Sequence, residues 1–200
     1  MDVITHYDLL TDEGNDSFRD GPELQNYMNK WDGKIFIDSL NLAKSKTVLE
    51  IGIGTGRLAV KTAPICKELT GIDISPKTLE RAKENLKSYS NIKYICADFL
   101  KYAFEEKFDI IYCSLTSMHF ENKKRFLSKV SALLNPDGIF CISLDKNQSE
   151  YIDMGTRKLR IYPDTPENIT GLSGQCGMTV TEKHETEFAH IIKLSKGEEK

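Results

Sequence analysis

Two hundred residues, 40% hydrophobic and 28% charged with a net charge of −3, describe one globular domain able to bury about 70% of its unfolded surface. No run of about 18 apolar residues is present to span a membrane, and the acidic balance lacks the basic stripe that nucleic acid requires. The opening MDVITHYDLLTDEGND has no apolar signal-peptide core, so a cytoplasmic protein is expected.

Residues 1–40 hold nine acids against three bases and read as an N-terminal helical cap, with a helical pattern over 22–40 that breaks near Gly33. Residues 41–200 read as the main domain. TVLEIG is its first strand, followed by a helix over 57–65, and ELTGIDI is the second strand. A helix over 76–87 is well signalled: Ser75 can cap it, Pro76 suits its first position, and Leu79, Ala82 and Leu86 share one face. NIKYICA and FDIIYCSL give strands three and four. A helix near 121–134 buries Phe126, Leu127, Val130 and Leu134. NPDG then reads as a turn into the fifth strand, IFCISL. The stretch 151–176 holds a strand and a helix after Pro166. MTVTEKHETEFAHIIKLS alternates with period two and reads as an antiparallel hairpin turning near 183–185. Strands alternating with helices imply a doubly wound, mostly parallel sheet covered on both faces.

Five cysteines, at 66, 96, 113, 141 and 176, form no CxxC pair, so neither a zinc knot nor a redox motif is expected. Cys96, Cys113 and Cys141 sit in apolar runs and read as small hydrophobes. No His, Asp and Glu group has metal-ligand spacing, and no metal is expected.

The chemistry gathers at the carboxyl ends of the strands, where ligands of such sheets bind. Glu50 places a carboxylate inside the apolar run VLEIGI, and an unpaired buried carboxylate is costly. Gly52, Gly54 and Gly56 follow, leaving backbone that another object can approach. Asp73 stands about twenty residues beyond those glycines, where an acid can accept from both ribose hydroxyls. Asp98 can bond an amino group, and Phe99 can lie against a flat base. Many nucleotide binders share a glycine turn with a later acid. The spacing here is GxGxG, with Arg57 where the dinucleotide fingerprint has its third glycine, and no GxxxxGK[ST] loop occurs.

VLEIGIGTGRLA, GIDIS, CADFL, FDIIYCSLTSMHF and LLNPDGIFCISL together resemble the motifs of the class I S-adenosylmethionine-dependent methyltransferases, closely over about 47–145. That resemblance implies a Rossmann-like seven-stranded sheet, mostly parallel with an antiparallel last strand, and S-adenosyl-L-methionine as cofactor. It implies that Glu50 orients the methionine amino end and that Gly52, Gly54 and Gly56 allow close packing. Asp73 would then hold the ribose, Ile74 pack on the adenine and Asp98 receive its amino group, with Ser114 near the methionine portion.

His119, just after strand four, is the candidate general base. His184 and His190 fall in the terminal hairpin and read as surface or packing residues. Tyr7, Tyr27 and Trp31 of the cap, with residues 151–163 opposite, are expected to build the acceptor pocket. The fourth segment lacks the [DN]-P-P-[YF] pattern of exocyclic-amine nucleic-acid methyltransferases, and no Pro-Cys nucleophile pair is present. A small-molecule acceptor is therefore expected, with no membrane partner. Two alternatives stay open: a protein or RNA acceptor, which a basic groove around 157–160 would favour, and a nicotinamide-dependent oxidoreductase. The sequence says nothing of the oligomeric state.

Overall fold

The structure, a computed structural model, describes residues 1–197. Three short helices come first: α1 (Val3–Asp12), α2 (Pro22–Met28) and α3 (Gly33–Ser39). The helical pattern over 22–40 breaks at 29–32, and Gly33 opens α3 with a φ of 60°. Next come β1 (Thr47–Ile51), α4 (Ala59–Thr62), β2 (Glu68–Asp73), α5 (Pro76–Asn85), β3 (Ile92–Cys96) and β4 (Phe108–Ser114). A 3₁₀ turn at Ser117–His119 leads to α6 (Lys123–Leu133) and β5 (Leu134–Asp145). The chain continues through β6 (Tyr151–Asp153), β7 (Lys158–Arg160), α7 (Pro166–Gln175), β8 (Met178–Glu185) and β9 (Ala189–Lys196).

Seven strands form one sheet in the order β3-β2-β1-β4-β5-β9-β8. The β3-β2-β1-β4-β5 ladders are all parallel, and β9 runs antiparallel to both of its neighbours. The winding reverses between β1 and β4, which is where such a sheet opens a crevice. Both faces are covered, so the inner strands are largely apolar. On one face Leu49, Ile51, Ile111 and Phe140 pack with Phe126 and Val130 of α6 and Ile169 of α7. On the other, Val48, Leu69, Ile110 and Tyr112 pack with Phe36 of α3, Ala59 of α4 and Leu79 of α5. The Ser75 cap forms: its Oγ accepts from the Thr78 amide at 3.1 Å.

Several local expectations change. The helix expected over 57–65 shrinks to the four residues of α4, although Ala63 is still helical with φ −54° and ψ −40°; Pro64 has no amide hydrogen to donate to the Val60 carbonyl, which interrupts the ladder. NPDG does not precede β5 but bulges out of it. Phe108 pairs with Leu134 and Ile110 with Ile139, so residues 135–138 loop out opposite Asp109, whose Oδ1 accepts from Asn135 Nδ2 at 3.0 Å. The stretch 151–163 holds two strands, β6 and β7, which pair with each other. The terminal hairpin turns at 186–188 rather than 183–185, and its register shifts at a bulge between Val180 and Glu182. Thr186 closes that turn on the Ala189 carbonyl at 2.9 Å. Cys96 is exposed, at the last position of β3, which is a sheet edge. All five cysteines are free thiols. Among the described residues no helix is long and apolar enough to cross a membrane.

Candidate functional site

A cavity of about 700 Å³ opens at the carboxyl ends of β1 to β4. Of the residues singled out in the sequence, Glu50, Gly52, Gly54, Asp73, Ile74, Asp98, Phe99, Ser114 and His119 all line it. Gly56 does not. Its φ is 98°, and a Cβ there would lie 2.7 Å from Cδ1 of Leu86, so this glycine lets the β1–α4 turn sit against the residue ending α5. Gly52 is likewise set by protein, since a Cβ would strike the Thr116 side chain. Gly54 is the position where bare backbone meets open space: its φ is 57° and a Cβ would meet nothing within 4 Å.

Asp73 ends β2 beside Gly54. Its Oδ2 accepts from the Gly54 amide at 2.9 Å and its Oδ1 from the Ser75 amide at 3.0 Å. Burial pushes this carboxyl above its ordinary value, against the two amides, which favour the charged form. Glu50 is only 3% exposed. Burial pushes it up to about 8, opposed by the Tyr112 hydroxyl, which donates to Oε2 at 2.7 Å, and by the Arg57 charge. The free protein therefore holds Glu50 largely protonated at neutral pH, which resolves the cost of a carboxylate among apolar neighbours. On the far side, Asp98 Oδ1 accepts from the Leu100 amide at 2.9 Å, and Lys101 lies 3.2 Å from Oδ2. Phe99 lines the cavity yet is 4% exposed, most of its ring packing on Phe104, Phe120 and Phe126.

Sequence reasoning missed the strongest polar feature. Asp32, between α2 and α3, is fully buried. Both its oxygens accept from the Arg57 guanidinium, Nη1 at 3.1 Å from Oδ1 and Nη2 on Oδ2. Ser114 Oγ also donates to Oδ2, at 2.8 Å. One carboxylate thus ties the N-terminal segment, the glycine turn and the end of β4 together beside Glu50. Nothing local marks Asp32. The available signal was Arg57 itself, a cation inside a motif of small residues that needs an acid.

His119 meets Tyr7 of α1, with Nε2 2.8 Å from the hydroxyl. Burial holds its imidazole down to about 4, helped by His6 and Lys123. The turn carrying it is clamped from behind: Lys123 Nζ donates to the carbonyls of Ser117 at 2.7 Å and Tyr162 at 2.6 Å. The Tyr162 amide in turn donates to Met118 at 2.7 Å.

Of the residues assigned to the acceptor pocket, Tyr7 alone reaches the cavity. Tyr27 and Trp31 pack on Phe188 of the terminal hairpin, with ring centroids 5.7 and 4.7 Å away. Residues 151–163 do not line the cavity; Tyr162 braces the 117–119 turn behind it. The basic cluster over 157–160 is engaged by its neighbours: Arg157 with Glu13, Lys158 with Asp153 at 2.8 Å, and Arg160 over the Tyr162 ring. His184 and His190 pair with Glu182 and Glu185 on the hairpin. Among the described residues no His, Cys, Asp and Glu group is arranged to hold a metal.

Residues 49–142 match a family described as "Methyltransferase domain". Nodulation protein S of Sinorhizobium fredii is 30% identical over 114 residues, covering 54% of this chain and 53% of that protein. A ubiquinone biosynthesis O-methyltransferase of Coxiella burnetii is 29% identical over 120 residues, covering 58% and 51%. The chain thus spans about half the length of the curated relatives it matches. Among solved structures, the N-methyltransferase NodS of Bradyrhizobium japonicum in complex with S-adenosyl-L-homocysteine superposes with a TM-score of 0.70. It is 21% identical, and the alignment covers 96% of this chain and 98% of that one.

Proposed function

We propose that this chain, a class I S-adenosylmethionine-dependent methyltransferase by its fold and by the family match over 49–142, transfers a methyl group to a small-molecule acceptor. The observation that carries this reading is the junction of Gly54 and Asp73. Bare backbone opens on the cavity there, beside an acid already fixed by two amides.

The residues present fit the cofactor. Asp73 keeps lone pairs for ribose hydroxyls, Ile74 offers an apolar surface and Asp98 an acceptor for an amino group, while Glu50 is a carboxyl that a nearby ammonium would ionise. Arg57 joins this set as a cation on the same wall. When bound, S-adenosylmethionine supplies a methyl group already activated on a sulfonium. The task left to the chain is alignment and exclusion of water, and alignment can account for about 7–11 kcal/mol of a barrier. The Asp32 carboxylate fixes the positions of Arg57 and Ser114, and Tyr7 and His119 close the cavity above them.

A small acceptor is favoured because the cavity wall carries apolar and aromatic side chains, Val3, Tyr7, Met28 and Met118, and because the basic cluster is spent on local partners. One relative is named an O-methyltransferase and one neighbour an N-methyltransferase, so their names leave the acceptor atom open. The test is a screen of hydroxyl- and amine-bearing small molecules, with protein and RNA pools beside them, using methyl-labelled S-adenosylmethionine. Label on a small molecule supports the reading; label only on protein or RNA overturns the acceptor class.

A further inference from the structure

We propose that Tyr112 is a positioning residue for Glu50: with Thr62 behind it, its hydroxyl fixes the carboxyl at the cavity wall and prepares it for the ammonium group of an amino-acid-bearing ligand. This rests on the methyltransferase reading of the same cavity and adds to it a chain of hydrogen-bond donors that stands behind the wall.

The strand ladder makes the contact. β1 and β4 are parallel neighbours with Glu50 opposite Tyr112, so both side chains leave the same face of the sheet. The Tyr112 hydroxyl donates to Glu50 Oε2 at 2.7 Å, and its oxygen lies 3.0 Å from Thr62 Oγ1 on α4. A phenol has one hydrogen, and Tyr112 has given it to Glu50, so the hydrogen of the second contact comes from Thr62. Both donations therefore run one way, from α4 through β4 to the carboxyl. Tyr112 and Thr62 are fully buried, and neither lines the cavity. Phe36 packs edge-on against the Tyr112 ring, with centroids 6.0 Å apart.

A buried tyrosine hydroxyl needs one partner, and Thr62 alone would satisfy it. Aiming it at a carboxyl among apolar neighbours favours the ionised form that burial opposes. The arrangement gains its use when a cation arrives. Glu50 lines the cavity, and among the described residues no donor reaches its Oε1. With Oε2 accepting from Tyr112, the hydrogen of the neutral carboxyl sits on Oε1. An arriving ammonium displaces that proton to solvent and takes its place, with no other bond made or broken.

The charges around Glu50 leave this role to Tyr112. Burial opposes ionisation most strongly, and the Tyr112 hydrogen bond is the largest influence favouring it. Arg57, in the turn after β1, adds to it, while Asp73 at the end of β2 and Asp32 before α3 oppose it. Arg57 is itself held by both oxygens of Asp32. Burial and the Glu50 charge keep the phenol well above its ordinary value, so it remains a donor at neutral pH. Cys66, also facing Tyr112, is a thiol that burial pushes up.

Tyr112→Phe removes the hydroxyl and keeps the ring. Glu50 then ionises about tenfold less readily, the effect of losing a hydrogen bond to a charged group. Titration calorimetry with S-adenosyl-L-homocysteine is expected to show binding weakened about tenfold at pH 7 and only about twofold at pH 9, where the carboxyl ionises with less help. 5′-Methylthioadenosine, an adenosyl thioether without the amino-acid end, is expected to bind both proteins within about twofold of each other. In a Glu50→Gln background, Tyr112→Phe is expected to change S-adenosyl-L-homocysteine affinity by less than about twofold. Thr62→Val, which removes the donor behind Tyr112, is expected to weaken binding in the same pH-dependent way by about twofold to threefold, and it carries the test should Tyr112→Phe not fold. An equal loss for the two ligands, a loss that ignores pH, or an undiminished loss in the Glu50→Gln background would make the hydroxyl a packing contact and overturn the proposal. A wild-type protein that binds neither adenosyl ligand defeats the methyltransferase reading instead, and the two failures are thereby distinct.

Discussion

Replacing Asp32 by alanine removes the carboxylate that joins three parts of the site. Arg57 would remain 8% exposed with a charge that has lost both of its acceptors, and Ser114 would lose its own. Breaking one side of a buried ion pair costs about 3–5 kcal/mol, because the surviving charge stays desolvated. With an unfolding entropy of about 2.1 cal/mol/K per residue over this chain, that corresponds to a melting temperature about 7–12 °C lower. Scanning calorimetry reads the shift, and urea unfolding should show a lower midpoint at unchanged slope. The double variant Asp32→Ala/Arg57→Leu removes the stranded cation, so it should be less destabilised than the two single changes sum to, by about 1–3 kcal/mol. A shift under about 2 °C for Asp32→Ala, or strict additivity in the cycle, would refute the view that this pair is a buried and coupled unit.

Two further outcomes follow from the same site. Gly54→Ala and Gly56→Ala both place a side chain at positive φ, which costs about 1–2 kcal/mol each, but only Gly56→Ala also meets Leu86. Thermal melts should show the larger loss for Gly56→Ala, while calorimetric titration with S-adenosyl-L-homocysteine should show the larger loss of affinity for Gly54→Ala. Glu50 retains its proton in the folded protein up to about 8 but releases it near 4.5 when unfolded. The free protein should therefore lose stability as pH rises across that window, and Glu50→Gln should flatten the slope. An ammonium-bearing ligand needs Glu50 ionised, so its affinity should rise about tenfold from pH 6 to pH 7 with proton release; no dependence on pH would separate Glu50 from the ligand's amino end.

The sheet was legible because the inner parallel strands are apolar runs separated by capped helices. Ser75-Pro76 and the period-two terminal hairpin carried their own local signals. The wall of the cavity was legible for the same reason, since strand ends are where the chain must change character: Glu50, Gly54, Asp73 and Asp98 all stand at such points. The misreadings have a common cause in distance along the chain. Gly56 looks like a ligand residue until α5 brings Leu86 against it. Asp32 lies 25 positions from Arg57 in a segment most of whose other acids are exposed or half-buried. Tyr27 and Trp31 read as cap aromatics facing the cavity until Phe188, more than 150 positions away, packs against them. The bulges at 135–138 and in β8 escaped because each depends on what the neighbouring strand offers.

The central claim is that the cavity at the carboxyl ends of β1 to β4 takes an adenosyl ligand clasped through Asp73. Titration of the wild-type protein with S-adenosyl-L-homocysteine, set beside the same titration of Asp73→Ala, tests it most directly. A single site is predicted in the wild type, weakened more than about tenfold in the variant, because hydrogen bonds to a charged acceptor contribute about 1.5–3 kcal/mol. Equal affinity in the two proteins, or a wild type that takes up a nicotinamide dinucleotide and ignores the adenosyl ligand, would contradict it.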